Sequence, residues 1–179
     1  MEQGAYHRSI TAHDFDSLGF PSGKRYELAD GQIRGRYPSP IADRLGAFLN
    51  AALQGSGHRS CSALRIEITD TDVCCPDIAV VGAVPESRCH QNRSSQPDPV
   101  VIFDILPASG DASEKRLLEY RQFGSLDTIV FVDPEAEATR VIQRLGPTSW
   151  RDDLFAQPHD VVLPVLGVTI PHTEIFARD

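Results

Sequence analysis

Residues 100–106, VVIFDIL, form the most strongly apolar stretch of the chain, with six large apolar residues around one acid, Asp104. The run has no helical period and is followed by Pro107. An apolar run of this length is typical of a strand that is buried on both faces. A buried carboxylate without a partner is costly, because it loses its hydration, and it would usually take up a proton. The sequence therefore predicts that a nearby group stabilises the charge of Asp104.

The size and composition of the chain indicate an ordinary globular protein. A length of 179 residues is enough for one domain with its own core, and we expect a single domain over 1–179. No apolar run approaches the ~18 residues of a membrane-spanning helix, and the first residues lack the apolar core of a signal peptide. We therefore expect a cytoplasmic protein without membrane contact.

The formal net charge of −8 argues against broad, non-specific binding to nucleic acid, which needs a basic surface. It leaves room for a local basic cleft. Four cations lie close together in the sequence and are interpreted first as solvated surface charges: Lys24, Arg25, Arg34 and Arg36.

The four cysteines are Cys61, Cys74, Cys75 and Cys89. Disulfides are not expected without a secretory signal, and the spacing fits no zinc motif. A zinc site that uses some of Cys74, Cys75, Cys89 and His90 is the alternative. Buried, reduced cysteines are the preferred interpretation.

Local patterns predict an α/β fold. A capping box at residues 11–14 begins a short helix, and alternating runs around Asp30-Gly31 predict a β-hairpin. Apolar spacing predicts a helix over 41–53, and a second capping box at 111–114 begins a helix that ends at Gly124. Strands are predicted at residues 63–72, 74–82, 100–106 and 127–134, followed by later strands that a polar loop around Trp150 joins. Together they predict a mixed β-sheet flanked by helices, with an N-terminal hairpin.

Asp77 is the second acid of interest. It lies near the start of the predicted strand 74–82 and precedes Asp104 by 27 residues (104 − 77). If the two strands pair, both carboxylates can face one spot. Two adjacent like charges need a cation between them, and hard oxygen ligands with open water positions suit Mg²⁺ or Mn²⁺. A shared metal would explain the buried charge of Asp104.

An ordered set of motifs resembles the PD-(D/E)XK nucleases and, more narrowly, their Uma2 (DUF820) branch. The matching segments are Tyr26-Glu27-Leu28-x-Asp30-Gly31, Pro38-Ser39-Pro40, Pro76-Asp77, the acid strand that holds Asp104, Lys115 followed by Tyr120, and Val132-Asp133-Pro134. The resemblance implies a restriction-endonuclease-like core and a metal-dependent endonuclease that acts on DNA, in which a homodimer cuts two strands. It also implies Asp77 and Asp104 as metal ligands, together with the backbone carbonyl of Ile105.

The superfamily motif places a lysine two residues after the acid, where this chain has Leu106. The Uma2 resemblance implies that Lys115, in the first turn of the following helix, takes over this role. Glu27 would complete the metal shell or orient water, although a surface carboxylate of the hairpin is the alternative. The chain departs from the family in having Asp104 for a more usual Glu and Ala42 where a His is frequent.

Two further hypotheses compete with the enzyme. The departures from the family motif and the acidic composition fit a binding module that keeps the nuclease fold without turnover. A purely structural interpretation instead pairs Asp104 with an arginine such as Arg116 or Arg121, which needs no metal.

Overall fold

The computed structural model describes residues 9–62, 64–82, 98–106 and 112–177. In chain order the helices and strands are α1 Ala12–Ser17, β1 Arg25–Ala29, β2 Gln32–Arg36, α2 Pro40–Ala52, β3 His58–Ser62, β4 Ile66–Thr69, β5 Asp72–Cys74, β6 Ile78–Gly82, β7 Pro99–Ile105, α3 Ala112–Tyr120, β8 Thr128–Asp133, β9 Ala138–Arg144, β10 Trp150–Phe155, β11 Val161–Leu163, β12 Val168–Ile170 and α4 His172–Ile175. The chain divides into two compact units, residues 1–37 with 65–75 and residues 38–64 with 76–179. The single domain over 1–179 stays a prediction.

The first unit is a four-stranded sheet in the order β2-β1-β5-β4, with α1. Its small core consists of Ala12, Phe15, Leu28 and Val73. The capping box of α1 forms as predicted, because the Thr11 hydroxyl accepts a hydrogen bond from the Asp14 amide at 3.1 Å and the Asp14 carboxylate accepts one from the Thr11 amide.

The predicted hairpin is confirmed. Strands β1 and β2 pair antiparallel from Arg25 opposite Arg36 to Ala29 opposite Gln32. Asp30 and Gly31 form the turn with positive φ angles of 52° and 71°. Two central residues with positive φ match the right-handed twist of the strands, which is why Asp-Gly is a strong hairpin signal.

The second unit is built on a six-stranded sheet in the order β10-β9-β8-β7-β6-β3. Strands β7 and β8 are parallel, and α3 lies between them in the chain; the other neighbours in this sheet pair antiparallel. The predicted buried strand is β7, whose residues Val101 to Phe103 are fully buried. Helix α2 packs with β6, β7 and the small β11–β12 sheet in the main core of this unit. The predicted fold class is confirmed.

Four predicted elements need correction. The strand predicted at residues 63–72 is the shorter β4, which ends at Thr69 before a turn that leads into β5. Trp150 is not in a loop but begins β10, where it pairs with Arg144 of β9 and receives that guanidinium over its ring at 4.2 Å. The stretch 74–82 is not one strand but is divided into β5 and β6, since Pro76 has no N–H to donate to a ladder. Helix α3 ends at Tyr120, before Gly124; the predicted capping residue Asp111 lies outside the described residues.

The cysteine prediction holds for two residues and is wrong for a third. Cys74 and Cys75 are buried and are not disulfide-bonded, as expected. Cys61 is disulfide-bonded, so the expectation that all four thiols are reduced is corrected there. Cys89 and His90, from the zinc alternative, lie outside the described residues. In the part of the chain that the structure describes, no helix has the length and apolar character to cross a lipid bilayer.

Candidate functional site

Adjacent strands of the six-stranded sheet bring Asp77 and Asp104 to one place. In the β6–β7 pair Ile78 lies opposite Phe103, so one further step of this antiparallel register takes Asp77 to Asp104. Both side chains are withdrawn from water, with exposed fractions of 2% and 0%. The Ile105 amide donates a hydrogen bond of 2.7 Å to Asp77 Oδ2, which fixes this carboxylate against β7. Two buried acids therefore meet near the carboxyl end of β7.

Helix α3 supplies the groups that contact Asp104. Arg116 Nη1 forms an ion pair with Asp104 Oδ2, and the Tyr120 hydroxyl donates to the same oxygen at 3.1 Å. Residues four apart lie on one face of a helix, so Arg116 and Tyr120 reach the strand together. Arg116 is only 9% exposed and Tyr120 is fully buried. A buried arginine thus compensates the charge of Asp104.

Of the two arginines that the sequence offered as partners, Arg116 is the one that meets Asp104. Arg121 instead lies 3.9 Å from Asp152 and 5.6 Å from the centroid of the Trp150 ring. The contribution of the Tyr120 hydroxyl to Asp104 was not predicted from sequence. The signal that could have found it is the spacing of four residues between Arg116 and Tyr120, which gives both the same orientation on the helix.

Lys115 lies beside this cluster on α3. It precedes Arg116 by one residue, which corresponds to a rotation of about 100° around the helix axis. Its ammonium is 3.7 Å from the Glu119 carboxylate, and its side chain is 53% exposed. The predicted roles of Lys115 at the reacting phosphate and of the Ile105 carbonyl at a metal stay predictions.

Glu27 belongs to the first unit, in the middle of β1. It lies opposite Arg34 of β2, and its side chain is half-buried. Residues paired across antiparallel strands, and alternate residues along a strand, share one face of the sheet. Glu27 therefore shares its face with Arg25, Arg34 and Arg36, and its predicted part in the chemistry stays a prediction.

The donor set of Asp77 and Asp104 fits a magnesium-type ion by its chemistry. Mg²⁺ prefers oxygen ligands, keeps several of its waters and is usually held by one or two carboxylates together with substrate phosphates. Among the described residues no group of three or more His, Cys, Asp or Glu side chains is arranged as a complete metal cage. The pair of aspartates is consistent with the open type of site, in which water and substrate supply the remaining ligands.

Comparison with known proteins identifies the family of this chain. Residues 12–171 match the family described as "Uma2: Putative restriction endonuclease". Among solved structures, the chain is similar to "a putative nuclease belonging to DUF820" from Anabaena variabilis ATCC 29413, with a TM-score of 0.71 and 19% identity over 94% of this chain and 98% of that one. A DrdV–DNA complex matches with a TM-score of 0.36 and 13% identity over 60% of this chain and 9% of that chain. No curated protein matches. Since the family match extends over most of its length, the chain belongs to the Uma2 family.

Proposed function

We propose that this protein is a metal-dependent endonuclease that hydrolyses phosphodiester bonds of DNA with Mg²⁺ or Mn²⁺. Membership of the Uma2 family supports nuclease chemistry. The observation that carries the metal requirement is the pair of buried carboxylates: Asp104 in β7 and Asp77, which immediately precedes the adjacent β6. A cytoplasmic location and a homodimer that cuts both strands, the latter by analogy only, are part of the proposal.

The residues around the two acids keep them charged and oriented. The Ile105 amide holds one oxygen of Asp77, while Arg116 and Tyr120 hold one oxygen of Asp104. Both carboxylates, with the Ile105 carbonyl, would ligate the ion. When bound, a divalent cation polarises the scissile phosphate and makes its bound water a stronger acid. The protein's part is to present fixed anionic oxygens to the ion.

Lys115 is the proposed cation for the negative charge that develops on the phosphate during hydrolysis. Preorganised charges of this kind account for the largest share of many enzymes' rate enhancement. Glu119, 3.7 Å away on the same helix, would restrict the ammonium to one side of α3. Glu27 is proposed as the early acid that orients water, which a Glu27→Gln variant in the cleavage assay below would test.

The decisive experiment is a calorimetric titration with Mn²⁺, followed by cleavage of plasmid DNA with Mg²⁺. Wild type is expected to bind Mn²⁺ and to cleave, and chelator should stop cleavage. Asp77→Asn and Asp104→Asn should lose both. Asp153→Asn is the matched control, because Asp153 is an acid on β10 whose side chain is 39% exposed. A fully active Asp77→Ala variant would show that the proposal is wrong.

The role of Lys115 has its own test. Lys115→Ala should lower the cleavage rate by about 10²–10³-fold, the usual cost of removing one group that stabilises transition-state charge. Leu106 occupies the superfamily's lysine position, and residues two apart on a strand share a face at roughly 7 Å. Adding Leu106→Lys to Lys115→Ala should therefore restore part of the rate. If Lys115→Ala alone cleaves like wild type, Lys115 has no catalytic role.

A binding module without turnover is the second candidate, and the Arg116 ion pair favours it. Because Arg116 already compensates Asp104, the buried acid does not require a metal for its charge. This candidate predicts DNA binding that chelator does not change, and no Mn²⁺ binding with or without DNA present. Cleavage that depends on the metal would exclude it.

A further inference from the structure

The sheet of the first unit carries its charges at opposite ends. At the end with the two turns, β1–β2 and β4–β5, four acids gather: Asp14, Asp30, Asp70 and Asp72. Two hydrogen bonds place them there. The Asp30 amide donates to the Asp72 carboxylate at 3.1 Å, and the Ala12 amide donates to the Asp70 carbonyl at 2.6 Å. The opposite end of the hairpin is basic.

We define the open end of the hairpin by Lys24, Arg25, Arg34, Arg36 and Tyr37. Arg25 lies opposite Arg36, and Arg34 shares their face of the sheet. Arg34, Lys24 and Tyr37 are exposed, and Arg36 is half-buried.

Positive charge is concentrated here although the chain as a whole has a formal net charge of −8. Strand β2 is an edge of its sheet, and four of its five residues are exposed. Charged side chains, lysine above all, protect such an edge from pairing with other chains. Protection of the edge does not account for Lys24 and Arg25, which lie outside β2 and add positive charge at the same end, where Glu27 opposite Arg34 is an acid.

Spacing and chemistry at the open end suit a polyanion with a regular repeat. Arg34 and Arg36 are two residues apart on one strand, so they lie roughly 7 Å apart. Each DNA strand carries a phosphate about every 3.4 Å along the duplex axis, so two arginines at this distance can meet phosphates of one strand. Lys24 and Tyr37 lie on the other face of the hairpin, because an added Cβ at Gly35 would come 3.6 Å from Lys24 Cδ and the Lys24 ammonium lies 4.5 Å from the Tyr37 ring centroid. Arginine is among the common ligands of phosphate groups.

We propose that the open end of the hairpin binds the sugar–phosphate backbone of DNA through Arg34 and Arg36. The choice of DNA rests on the proposed function, whereas the choice of surface rests on the charges and exposure of the first unit. Binding of this kind positions the duplex without reading its sequence.

The test is fluorescence anisotropy of the full chain with a labelled DNA duplex of mixed sequence, in EDTA so that no cleavage occurs, over a range of salt concentrations. Each phosphate contact contributes about 0.9 to the slope of log affinity against log salt. The double variant Arg34→Gln/Arg36→Gln should lower that slope by about 1.8 and weaken binding by roughly 10- to 200-fold at 50 mM salt. Arg34→Lys/Arg36→Lys should keep the slope near that of wild type, because it preserves the charge.

The matched control is Arg151→Gln, since Arg151 is an exposed arginine on a strand of the second unit. It should bind DNA with the affinity and slope of wild type. The affinities for single-stranded DNA and duplex RNA are measured in the same way, to show which kind of nucleic-acid backbone the surface binds. The proposal is overturned if the glutamine double variant binds like Arg151→Gln, if wild type binds only RNA, or if wild type binds no DNA.

The same variants separate this proposal from the proposed function. Asp77→Asn should keep full DNA affinity in EDTA while losing cleavage in Mg²⁺. If DNA binding depends on the hairpin arginines but wild type does not cleave, the proposed binding surface is correct and the proposed endonuclease activity is wrong. If the Arg34→Gln/Arg36→Gln variant instead cleaves DNA at the wild-type rate at low DNA concentration, and cleavage depends on the metal, the endonuclease is correct and the proposed binding surface is wrong.

Discussion

Arg116 and Asp104 form an ion pair that is almost completely shielded from water, with side-chain exposed fractions of 10% and 0%. Removing one partner leaves an uncompensated buried charge, which typically costs 3–5 kcal/mol. We therefore expect Arg116→Met to lower the free energy of unfolding, measured by urea denaturation, by roughly 3–5 kcal/mol. The double variant Asp104→Leu/Arg116→Met should recover most of this loss, since neither charge remains.

Arg151→Met serves as the control for this pair. Arg151 lies 2.8 Å from Asp153, but both side chains are exposed, at 55% and 39%. Solvent screens such pairs, so the loss should stay below about 1 kcal/mol. An Arg116→Met variant no less stable than this control would contradict the compensating role of Arg116.

The Cys75 thiol gives a pH dependence that can be tested. Burial raises its pKa from 9.0 to about 11, against the opposing charges of Arg25, Arg36 and Arg65. The folded protein holds this proton more tightly than the unfolded chain does. The stabilisation is therefore fully present below pH 9 and is lost as the pH rises towards 11, by about 3 kcal/mol. When the pH is raised from 8 to 11, the free energy of unfolding of wild type should fall by up to about 3 kcal/mol more than that of Cys75→Ala. Equal decreases in the two proteins would contradict the raised pKa of Cys75.

At the scale of elements, the β1–β2 turn depends on Gly31. Its φ is +71°, and an added Cβ would come 1.7 Å from the Ser9 hydroxyl oxygen. We expect Gly31→Ala to destabilise the protein by about 1–3 kcal/mol, from the unfavourable backbone conformation and the displaced serine. Gly124→Ala is the control, because no atom lies within 4 Å of its added Cβ and its φ is not positive. Similar melting temperatures for the two variants would show that the turn tolerates a side chain.

The elements that were predicted from the sequence are those with local signals. The α1 capping box, the Asp30-Gly31 turn and the apolar run of β7 each specify their structure within a few residues. The strand at Trp150 was missed because the apolar pattern of WRDDLF is weak, and what makes this segment a strand is its pairing with β9, the preceding strand. Prediction of the site is limited in the same way, because it also depends on contacts between elements. The sequence offered Arg116 and Arg121 as examples of an arginine partner for Asp104, in a hypothesis that needs no metal, but which of them faces the strand depends on the rotation of α3.

At the scale of the second unit, the topology explains why Asp104 is reached from α3. A parallel pair of strands needs a crossover connection, and α3 lies in the connection between β7 and β8. In open sheets with parallel strands, ligands bind outside the carboxyl ends of the strands. Asp104 lies one residue before the end of β7, so the crossover helix places Arg116 and Tyr120 over the edge of the sheet at the carboxyl end of β7.

If that edge binds a divalent ion, the ion should stabilise the whole protein, because only the folded chain brings Asp77 and Asp104 together. An Mn²⁺ concentration 100 times the dissociation constant adds about 2.7 kcal/mol. For a protein of this size, this corresponds to a rise in melting temperature of about 5–10 °C, measured by scanning calorimetry. Asp77→Asn and Asp104→Asn should show no rise, while Asp153→Asn should respond like wild type. This readout does not depend on knowing the substrate. A wild-type protein that Mn²⁺ does not stabilise, even with DNA present, would leave Arg116 as the cation at Asp104 and favour the binding module.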